Sequence, residues 1–342
     1  MPRFTTIVPP QSPRVATRGL CWLACIALVV AAIEAHAQHE LPETPLPVLD
    51  ATATGDQFLA EVLATLERRP SVAARLRHQA RLHEDTLMGS GKYWQRGVGN
   101  QRVTRWEMQT QLAGQAASYV QVFDGNHLWT DRTLPSGRAV HRLDVGRLQS
   151  RLRAAAAGTR GLPAKAQWEP LVAAAAGQGG LTEMLADLLR RYTFAPPRSA
   201  QLNGLAVYAL VGQWRRTELE KLWPELATAE DMSNWPRQLP HHVLLLVGKN
   251  NLFPYVVEHR RVEDAHLATS APGDRPTRDP LVRYELFEVE FAAALDDSLF
   301  EFKPGDVQWT DETTLVLERL RDQDAAATAT EAARRDHAAI QR

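Results

Sequence analysis

The sequence predicts an α+β fold, in which an antiparallel sheet is accompanied by helices grouped in the middle of the chain. Segments that alternate polar and apolar residues, as half-buried strands do, occur in the first 144 residues and again after residue 204. Between them, apolar residues recur every three or four positions, as in amphipathic helices. Because strands follow strands directly, about ten or eleven in all, the pattern differs from the regular alternation of a βαβ fold.

The clearest strand pattern lies between Gln101 and Asp131. Alternate residues from position 104 onward form one largely apolar side, and the residues between them are polar except for Val103. Two more strands are expected at Tyr119–Phe123 and His127–Asp131, joined by Asp124-Gly125, because glycine adopts the positive φ of a tight hairpin turn. The inward side of the first strand comprises Thr104, Trp106, Met108, Thr110 and Leu112.

The first half of the chain supplies one more helix and further strands. A helix is expected at Asp56–Arg68, where apolar residues share one face and Pro70 ends the helix. Gly89 and Gly91 fall inside a strand, which predicts that another element approaches the backbone closely there. The remaining strands expected before residue 145 are Ala74–Leu82, Thr86–Arg96 and Val140–Leu143.

The middle of the chain changes to helical spacing. Val145–Ala157 is expected to be helical, Glu169–Ala176 is a candidate short helix, and Leu181–Tyr192 has the most regular amphipathic pattern. The polar segment Glu263–Asp279, with its two prolines, predicts a loop. The other elements expected in the second half are strands at Leu205–Arg215, His242–Val247, Phe253–Val262, Leu281–Phe291 and Leu299–Phe302, and helices at Thr217–Ala229 and Thr310–Arg321.

The N-terminus has the three parts of a secretory signal peptide. A basic start is followed by an apolar run, Leu20–Ile33, and by the small-residue site Ala35-His36-Ala37. The apolar run is shorter than the roughly 20 residues of a membrane span, so we predict cleavage after Ala37 and export to the periplasm. The expected organisation is a signal peptide at 1–37, a linker at 38–54, one domain at 55–321 and a disordered, charged, alanine-rich tail at 322–342.

Composition and motifs argue against nucleic-acid binding and against catalysis. The 342 residues carry a formal charge of −1, whereas nucleic-acid binders are usually basic. Cys21 and Cys25 are the two cysteines, and both lie in the predicted signal peptide. An esterase is disfavoured because G-x-S-x-G is absent, and so is H-E-x-x-H. His241 and His242 point to opposite faces if they lie on a strand, so we expect them to bind no metal. Together with the absent motifs, this leads us to expect no cofactor and no enzymatic activity.

Five motifs in order resemble those of a known family. They are VFDGNHLWTD at the predicted hairpin, LNGLAVYALVGQW, NLFPYVVEHRR and LVRYELFEVEF in later strands, and DDSLFEFKPGDVQ near the end. This series resembles the outer-membrane lipoprotein carriers, the LolA- and LolB-like superfamily, and in particular its larger lipoprotein-sorting relatives. The resemblance implies an open antiparallel half-barrel whose concave face is covered by helices.

What the resemblance implies for function is a non-catalytic, monomeric carrier that holds the acyl chains of lipoproteins or lipids and meets a protein partner in the envelope. The alternative is an envelope-stress sensor that uses the same fold to bind a protein. Carriers of this family gate their ligand with an arginine, and the candidates by position are Arg75, Arg77, Arg96, Arg102 and Arg105. The candidate residues of the ligand cavity are Leu76, Leu82, Trp106, Met108, Leu112, Leu185, Leu188 and Leu189.

Overall fold

The computed structural model describes residues 53–82, 85–112, 114–158, 175–227, 235–261 and 280–322. Within these ranges the chain forms a mostly antiparallel open sheet of 13 strands, together with six helices. The α+β class predicted from the sequence is therefore confirmed. The predicted signal peptide, the linker up to residue 52, most of the candidate helix 169–176, the loop 263–279 and the tail beyond residue 322 lie outside the described residues.

The sheet is built from neighbouring strands in two halves. The first six strands are β1 (Ser71–Leu82), β2 (Asp85–Arg96), β3 (Val103–Leu112), β4 (Gln115–Phe123), β5 (His127–Leu134) and β6 (Gly137–Asp144). The others are β7 (Tyr192–Phe194), β8 (Arg198–Leu202), β9 (Leu205–Trp214), β10 (His242–Gly248), β11 (Pro254–Arg260), β12 (Val282–Phe291) and β13 (Trp309–Asp311). The spatial order is β13-β6-β5-β4-β3-β2-β1-β12-β11-β10-β9-β7, with β8 also paired to β9.

Two helices cover one face of the sheet, which we call the inner face. The helices of the described chain are α1 (Gly55–Arg68), α2 (Val145–Gly158), α3 (Gly180–Arg191), α4 (Arg216–Leu222), α5 (Pro224–Ala227) and α6 (313–322). Helix α1 begins with a capping box between Thr54 and Gln57, and it packs against α3. The buried apolar stripes of α1 and α3 comprise Phe58, Leu59, Val62, Leu63, Leu66, Leu181, Leu185, Leu188 and Leu189.

Contacts with these two helices identify the inward side chains of the sheet. Gln95 Nε2 donates to the Leu66 carbonyl at 3.0 Å, and the Gly180 N–H donates to Gln121 Oε1 at 3.0 Å. Strand register extends the assignment, because residues paired across antiparallel strands share a face. Nine inward side chains at this covered end are at most 8% exposed: Val72, Ala74, Leu76, Tyr93, Gln95, Thr104, Trp106, Phe123 and Leu128.

The predicted hairpin at Asp124-Gly125 is confirmed. Gly125 has φ 100°, and Asp124 Oδ1 accepts hydrogen bonds from the N–H groups of Asn126 at 2.9 Å and His127 at 2.7 Å. The carboxylate therefore fixes the turn between β4 and β5, as aspartate commonly does at the start of a turn.

The prediction of a strand at Leu299–Phe302 is wrong. Residues 292–308 form an irregular segment, the outer strap, which crosses the face opposite the helices and contains a 3₁₀ turn at Asp297–Phe300. Arg96 and Arg105 donate to strap carbonyls at 2.9 and 3.1 Å, and a strap phenylalanine stacks on Trp129. Side chains satisfy the strap carbonyls instead of a strand ladder, and its apolar residues are used for packing on the sheet.

Other differences from the prediction concern short elements. Strands β7, β8 and β13 were not predicted, because three to five residues are too few to show a periodic pattern. They raise the number of strands from the expected ten or eleven to 13. Strand β1 begins at Ser71 and not at Ala74, and Thr310 belongs to β13 and not to the helix that follows. No helix of the described residues is long and apolar enough to cross a membrane.

Candidate functional site

Helix α3 covers the inner face with the apolar stripe that the sequence predicts. Leu185 and Leu189 are fully buried, and Leu188 is 3% exposed. The helix contacts α1, β3 and β7. Three of the predicted cavity residues therefore lie where the helix packs against the rest of the domain.

Two further predicted residues, Leu76 and Trp106, are core side chains of the inner face. Leu76 is completely buried and Trp106 is 4% exposed. The Trp106 ring meets Tyr93 edge-on at 5.5 Å between centroids and Tyr284 edge-on at 6.0 Å. Such edge-to-face pairs contribute about 0.5–1.5 kcal/mol each beyond the burial of area. Both side chains are therefore packed in the core.

The inner face continues past Trp106 onto side chains that are only half-buried. Met108 and Leu112, the other predicted residues of β3, lie there, and the side chain of Leu82 at the end of β1 lies outside the described part of the chain. Met108 pairs with Tyr119, and His78 pairs with Tyr284. We call this half-buried surface the inner strip; it consists of His78, Met108, Leu112, Tyr119 and Tyr284.

Two glycines lie beneath the inner strip, as the glycine pattern predicts. The His78 ring lies over Gly89, where an added Cβ would be 2.0 Å from His78 Nε2, and that nitrogen is 3.2 Å from the Gln109 carbonyl oxygen. A Cβ at Gly91 would lie 1.9 Å from the carbonyl oxygen of Glu107. The prediction of close approach is confirmed, because no larger residue fits at either position without a shift.

The titratable groups of the inner strip are in their neutral forms at neutral pH. Burial raises the pKa of Tyr119 to about 12, and the neighbouring Glu183 carboxyl adds to this rise. Burial also raises the pKa of Tyr284 and lowers the pKa of His78. Next to the strip, burial lowers the pKa of His259 to about 4. The strip therefore combines apolar surface with uncharged hydrogen-bonding groups.

A buried polar cluster, the junction cluster, joins both covering helices to the sheet. Its centre is Arg102, which is 0% exposed and directly precedes β3. Arg102 Nη1 lies 3.1 Å from Glu67 Oε1 on α1 and 3.4 Å from both Gln178 Oε1 and Thr182 Oγ1 at the start of α3. Arg102 Nη2 also donates to the Glu67 carbonyl. Burial raises the pKa of Glu67 although the adjacent guanidinium opposes the rise.

Among the five arginines considered for the gating position, Arg102 is the one that reaches the covering helices. The other four lie on the opposite face of the sheet or at its edge. Arg75 and Arg77 pair with Glu288 and Glu285 of β12, at 3.2 and 3.8 Å, whereas Arg96 and Arg105 hold the outer strap.

The segment before α3 was not identified as part of a site from the sequence. Gly179 and Gly180 have φ values of 67° and 62°. A Cβ on Gly179 would meet the Gln121 side chain at 2.5 Å, and one on Gly180 would meet the Tyr93 ring at 2.6 Å. Thr104 Oγ1 donates to the Gln178 carbonyl at 2.6 Å. The signal was present as Gly-Gln-Gly-Gly directly before the most regular amphipathic pattern of the chain.

The adjacent histidines considered as metal ligands lie at the start of β10. Both are buried, at 6% and 7% exposure. The His241 ring packs edge-on against Trp235 at 5.2 Å between centroids, and the His241 backbone N–H donates to the Arg260 carbonyl. No group of three or more histidine, cysteine, aspartate or glutamate side chains in the described ranges could hold a metal ion.

No family model matches the chain, and no curated protein matches its sequence. Solved structures do align with it, and some of them are named for the superfamily that the sequence motifs resemble. A putative outer-membrane lipoprotein-sorting domain from Vibrio parahaemolyticus is 12% identical, with a TM-score of 0.31, over 72% of this chain and 96% of that one. A LolA superfamily protein from Nitrosomonas europaea is 14% identical, with a TM-score of 0.27, over 73% and 98%.

The MucA/MucB complex of Pseudomonas aeruginosa also aligns with the chain. The identity is 10%, the TM-score is 0.36, and the alignment covers 73% of this chain. This chain spans 61% of the length of that structure.

Proposed function

We propose that this protein is an exported, non-catalytic carrier that binds the acyl chains of a lipid or lipoprotein on the inner face of its sheet. One observation carries the proposal. The inner face is continuous from the core at Leu76 and Trp106 to the half-buried inner strip at Met108 and Leu112. An acyl chain that lies along the strip can therefore extend under α3 if the helix moves aside.

Helix α3 is suited to such a movement. It is held by side-chain packing, by the junction cluster and by one backbone hydrogen bond at each end, from the Gly180 N–H to Gln121 Oε1 and from the Arg215 N–H to the Arg191 carbonyl. A buried methylene contributes about 0.8 kcal/mol, so a chain of sixteen carbons supplies on the order of 10 kcal/mol before ordering costs. A ligand of this kind can replace the apolar contacts that α3 loses when it moves.

The polar groups of the inner strip fit the uncharged end of an acyl chain. Tyr119, Tyr284 and His78 are neutral hydrogen-bonding groups next to the apolar side chains of Met108 and Leu112. Ester carbonyls can accept hydrogen bonds from the two tyrosine hydroxyls without the cost of burying a charge. The predicted signal peptide supports a periplasmic location for the mature protein, where acyl ligands of the envelope occur.

Mass spectrometry of lipid extracted from the mature protein tests this proposal. The protein is purified from its native envelope without detergent exchange, and the extract is compared with that of a Trp106→Asp variant. We expect an acyl species in about stoichiometric amount with the wild type and less with the variant, because a charge at this buried position opposes an acyl chain. A folded wild-type protein without any acyl species would contradict the proposal.

The alternative function, an envelope sensor that binds a protein, would use another surface. A groove of about 500 Å³ lies between α2 and α6, lined by Arg147, Ser150, Arg151, Leu317 and Arg321 among others. Three arginines outnumber the one acidic residue of the lining, Glu318, so the groove suits an acidic helical segment. The sensor is favoured if an acidic peptide binds the wild type with micromolar affinity, an Arg147→Glu variant does not bind it, and the purified protein contains no acyl species.

A further inference from the structure

The two faces of the first six strands differ sharply in charge. Charged residues at outward positions are numerous, and they are Arg75, Arg77, Arg81, Lys92, Arg96, Arg105, Glu107, Asp131, Arg138, Arg142 and Asp144. Among inward positions of β1–β6 whose side chains the structure describes, Asp85 at the start of β2 is the one carboxylate and Arg132 is the one lysine or arginine. A residue that breaks the pattern of its own face is often retained for function.

Arg132 lies at the edge of the inner strip. It is directly opposite Tyr119 across the β4–β5 pair, and Tyr119 in turn pairs with Met108. The positive charge of Arg132 acts on the Tyr119 hydroxyl and partly offsets the effect of burial on its pKa. The Arg132 side chain is exposed. Within the described ranges, no hydrogen bond or ion pair joins Arg132 to another residue.

We propose that Arg132 binds the anionic headgroup of an acyl lipid whose chains lie on the inner strip. The inference rests on the proposed carrier function and specifies its ligand. A guanidinium presents paired N–H donors that match a phosphate or a carboxylate. The Tyr119 hydroxyl, one strand away, is a second donor near the same position. Apolar chains then extend from this headgroup towards Met108 and Trp106.

Two kinds of lipid share this chemistry, a phospholipid with its phosphate and a fatty acid with its carboxylate. Both place an anion at the end of apolar chains, and a diacylglycerol has the same chains without the anion. A comparison of phosphatidylglycerol, oleate and dioleoylglycerol therefore separates the contribution of the anion from that of the chains.

The test measures the affinity of lipid-free, full-length mature protein for these three lipids by displacement of a fluorescent acyl probe. Arg132→Gln is the variant. Arg138→Gln, which lies on the outward face of the next strand and pairs with Asp131, is the matched control. We expect Arg132→Gln to weaken binding of at least one anionic lipid about tenfold and to leave dioleoylglycerol binding unchanged. Arg138→Gln should resemble the wild type with all three lipids.

The outcomes separate this inference from the proposed function. Loss of phosphatidylglycerol binding alone identifies a phosphate ligand, and loss of oleate binding alone identifies a carboxylate. If Arg132→Gln binds every lipid as the wild type does, the assignment of Arg132 is wrong while the carrier function stands. If the wild type binds none of the three lipids, the carrier function itself fails. Because Arg132 is exposed, circular dichroism of the variant should match that of the wild type.

Discussion

Arg102 Nη1 lies 3.1 Å from Glu67 Oε1, and this ion pair joins the residue before β3 to the last turn of α1. The Arg102 side chain is completely buried, and the Glu67 side chain is 16% exposed. Because the same guanidinium also reaches Gln178 and Thr182, one side chain holds α1, the start of α3 and the sheet together. We infer that this contact sets how easily α3 leaves the inner face.

Removal of the Arg102 guanidinium should be strongly destabilising. Arg102→Met leaves Glu67 and its neighbours without their partner, and the loss of one member of a buried ion pair typically costs about 3–5 kcal/mol. Urea unfolding measures the change in the free energy of unfolding. Arg68→Met is the matched control, since Arg68 pairs with Glu61 on the surface of the same helix at 58% exposure and should cost less than about 1 kcal/mol. Equal losses in the two variants would show that the junction cluster has no special role.

The stripe of α3 should contribute to stability as a core element. Leu185 is fully buried, so Leu185→Ala should lower the free energy of unfolding by about 2–5 kcal/mol. Leu185→Asp should reduce it further, because an unpaired charge is costly to bury. Leu315→Ala on α6, where the side chain is 45% exposed, is the control. Wild-type melting of both Leu185 variants would place this stripe outside the core.

Stability should fall in mild acid because of His259. Its pKa is about 4 in the folded protein and near 6.5 in the unfolded chain, so between these values the unfolded state binds more protons. The free energy of unfolding therefore decreases as the pH falls from about 6.5 to about 4, by on the order of 3 kcal/mol from this group. The nearby Asp187 and Arg191 act on the pKa in opposite directions.

The variant His259→Gln isolates that contribution. Urea unfolding at pH 7 and at pH 4.5 gives the acid-dependent loss for each protein, and the loss should be smaller in the variant. Burial raises the pKa of Glu183 and Glu67, which favours the folded state in acid, but these groups are present in both proteins and cancel in the comparison. An identical pH dependence in the two proteins would mean that His259 titrates normally when folded.

Export should be visible at the N-terminus of the native protein. The basic start, the apolar run and the Ala35-His36-Ala37 site predict cleavage after Ala37. N-terminal sequencing of the protein from the envelope should therefore begin at Gln38. A chain that begins at Met1, or a lipid attached to Cys25, would contradict this prediction.

The sequence was sufficient for the long strands, because alternation over eight or more residues fixes both a strand and its inward side. Trp106 was assigned to the inner face from its polar neighbours Arg105 and Glu107, and the structure places it there. The outer strap could not be predicted, because the apolar spacing of Leu299, Phe300 and Phe302 is the same for a strand and for an irregular segment that packs on a sheet.

The junction cluster also could not be derived from local pattern. Arg102 lies in a polar stretch and is separated by 35 residues from Glu67 and by 76 from Gln178. Its selection among five arginines depends on burial, which follows from long-range packing. The same limit applies to the predicted cavity residues. Periodicity places Leu76 and Met108 on one face, but it does not distinguish a packed core from a half-buried surface.

Quenching of tryptophan fluorescence by brominated acyl chains tests the central claim most directly, because bromine quenches only at short range and Trp106 lies between the core and the inner strip. We expect a brominated fatty acid to quench wild-type fluorescence saturably. Trp106→Phe should show clearly less quenching, whereas Trp129→Phe, which lies against the outer strap, should be quenched as strongly as the wild type. If a folded wild-type protein shows no quenching, or if Trp106→Phe is quenched as fully as Trp129→Phe, acyl chains do not bind on this face.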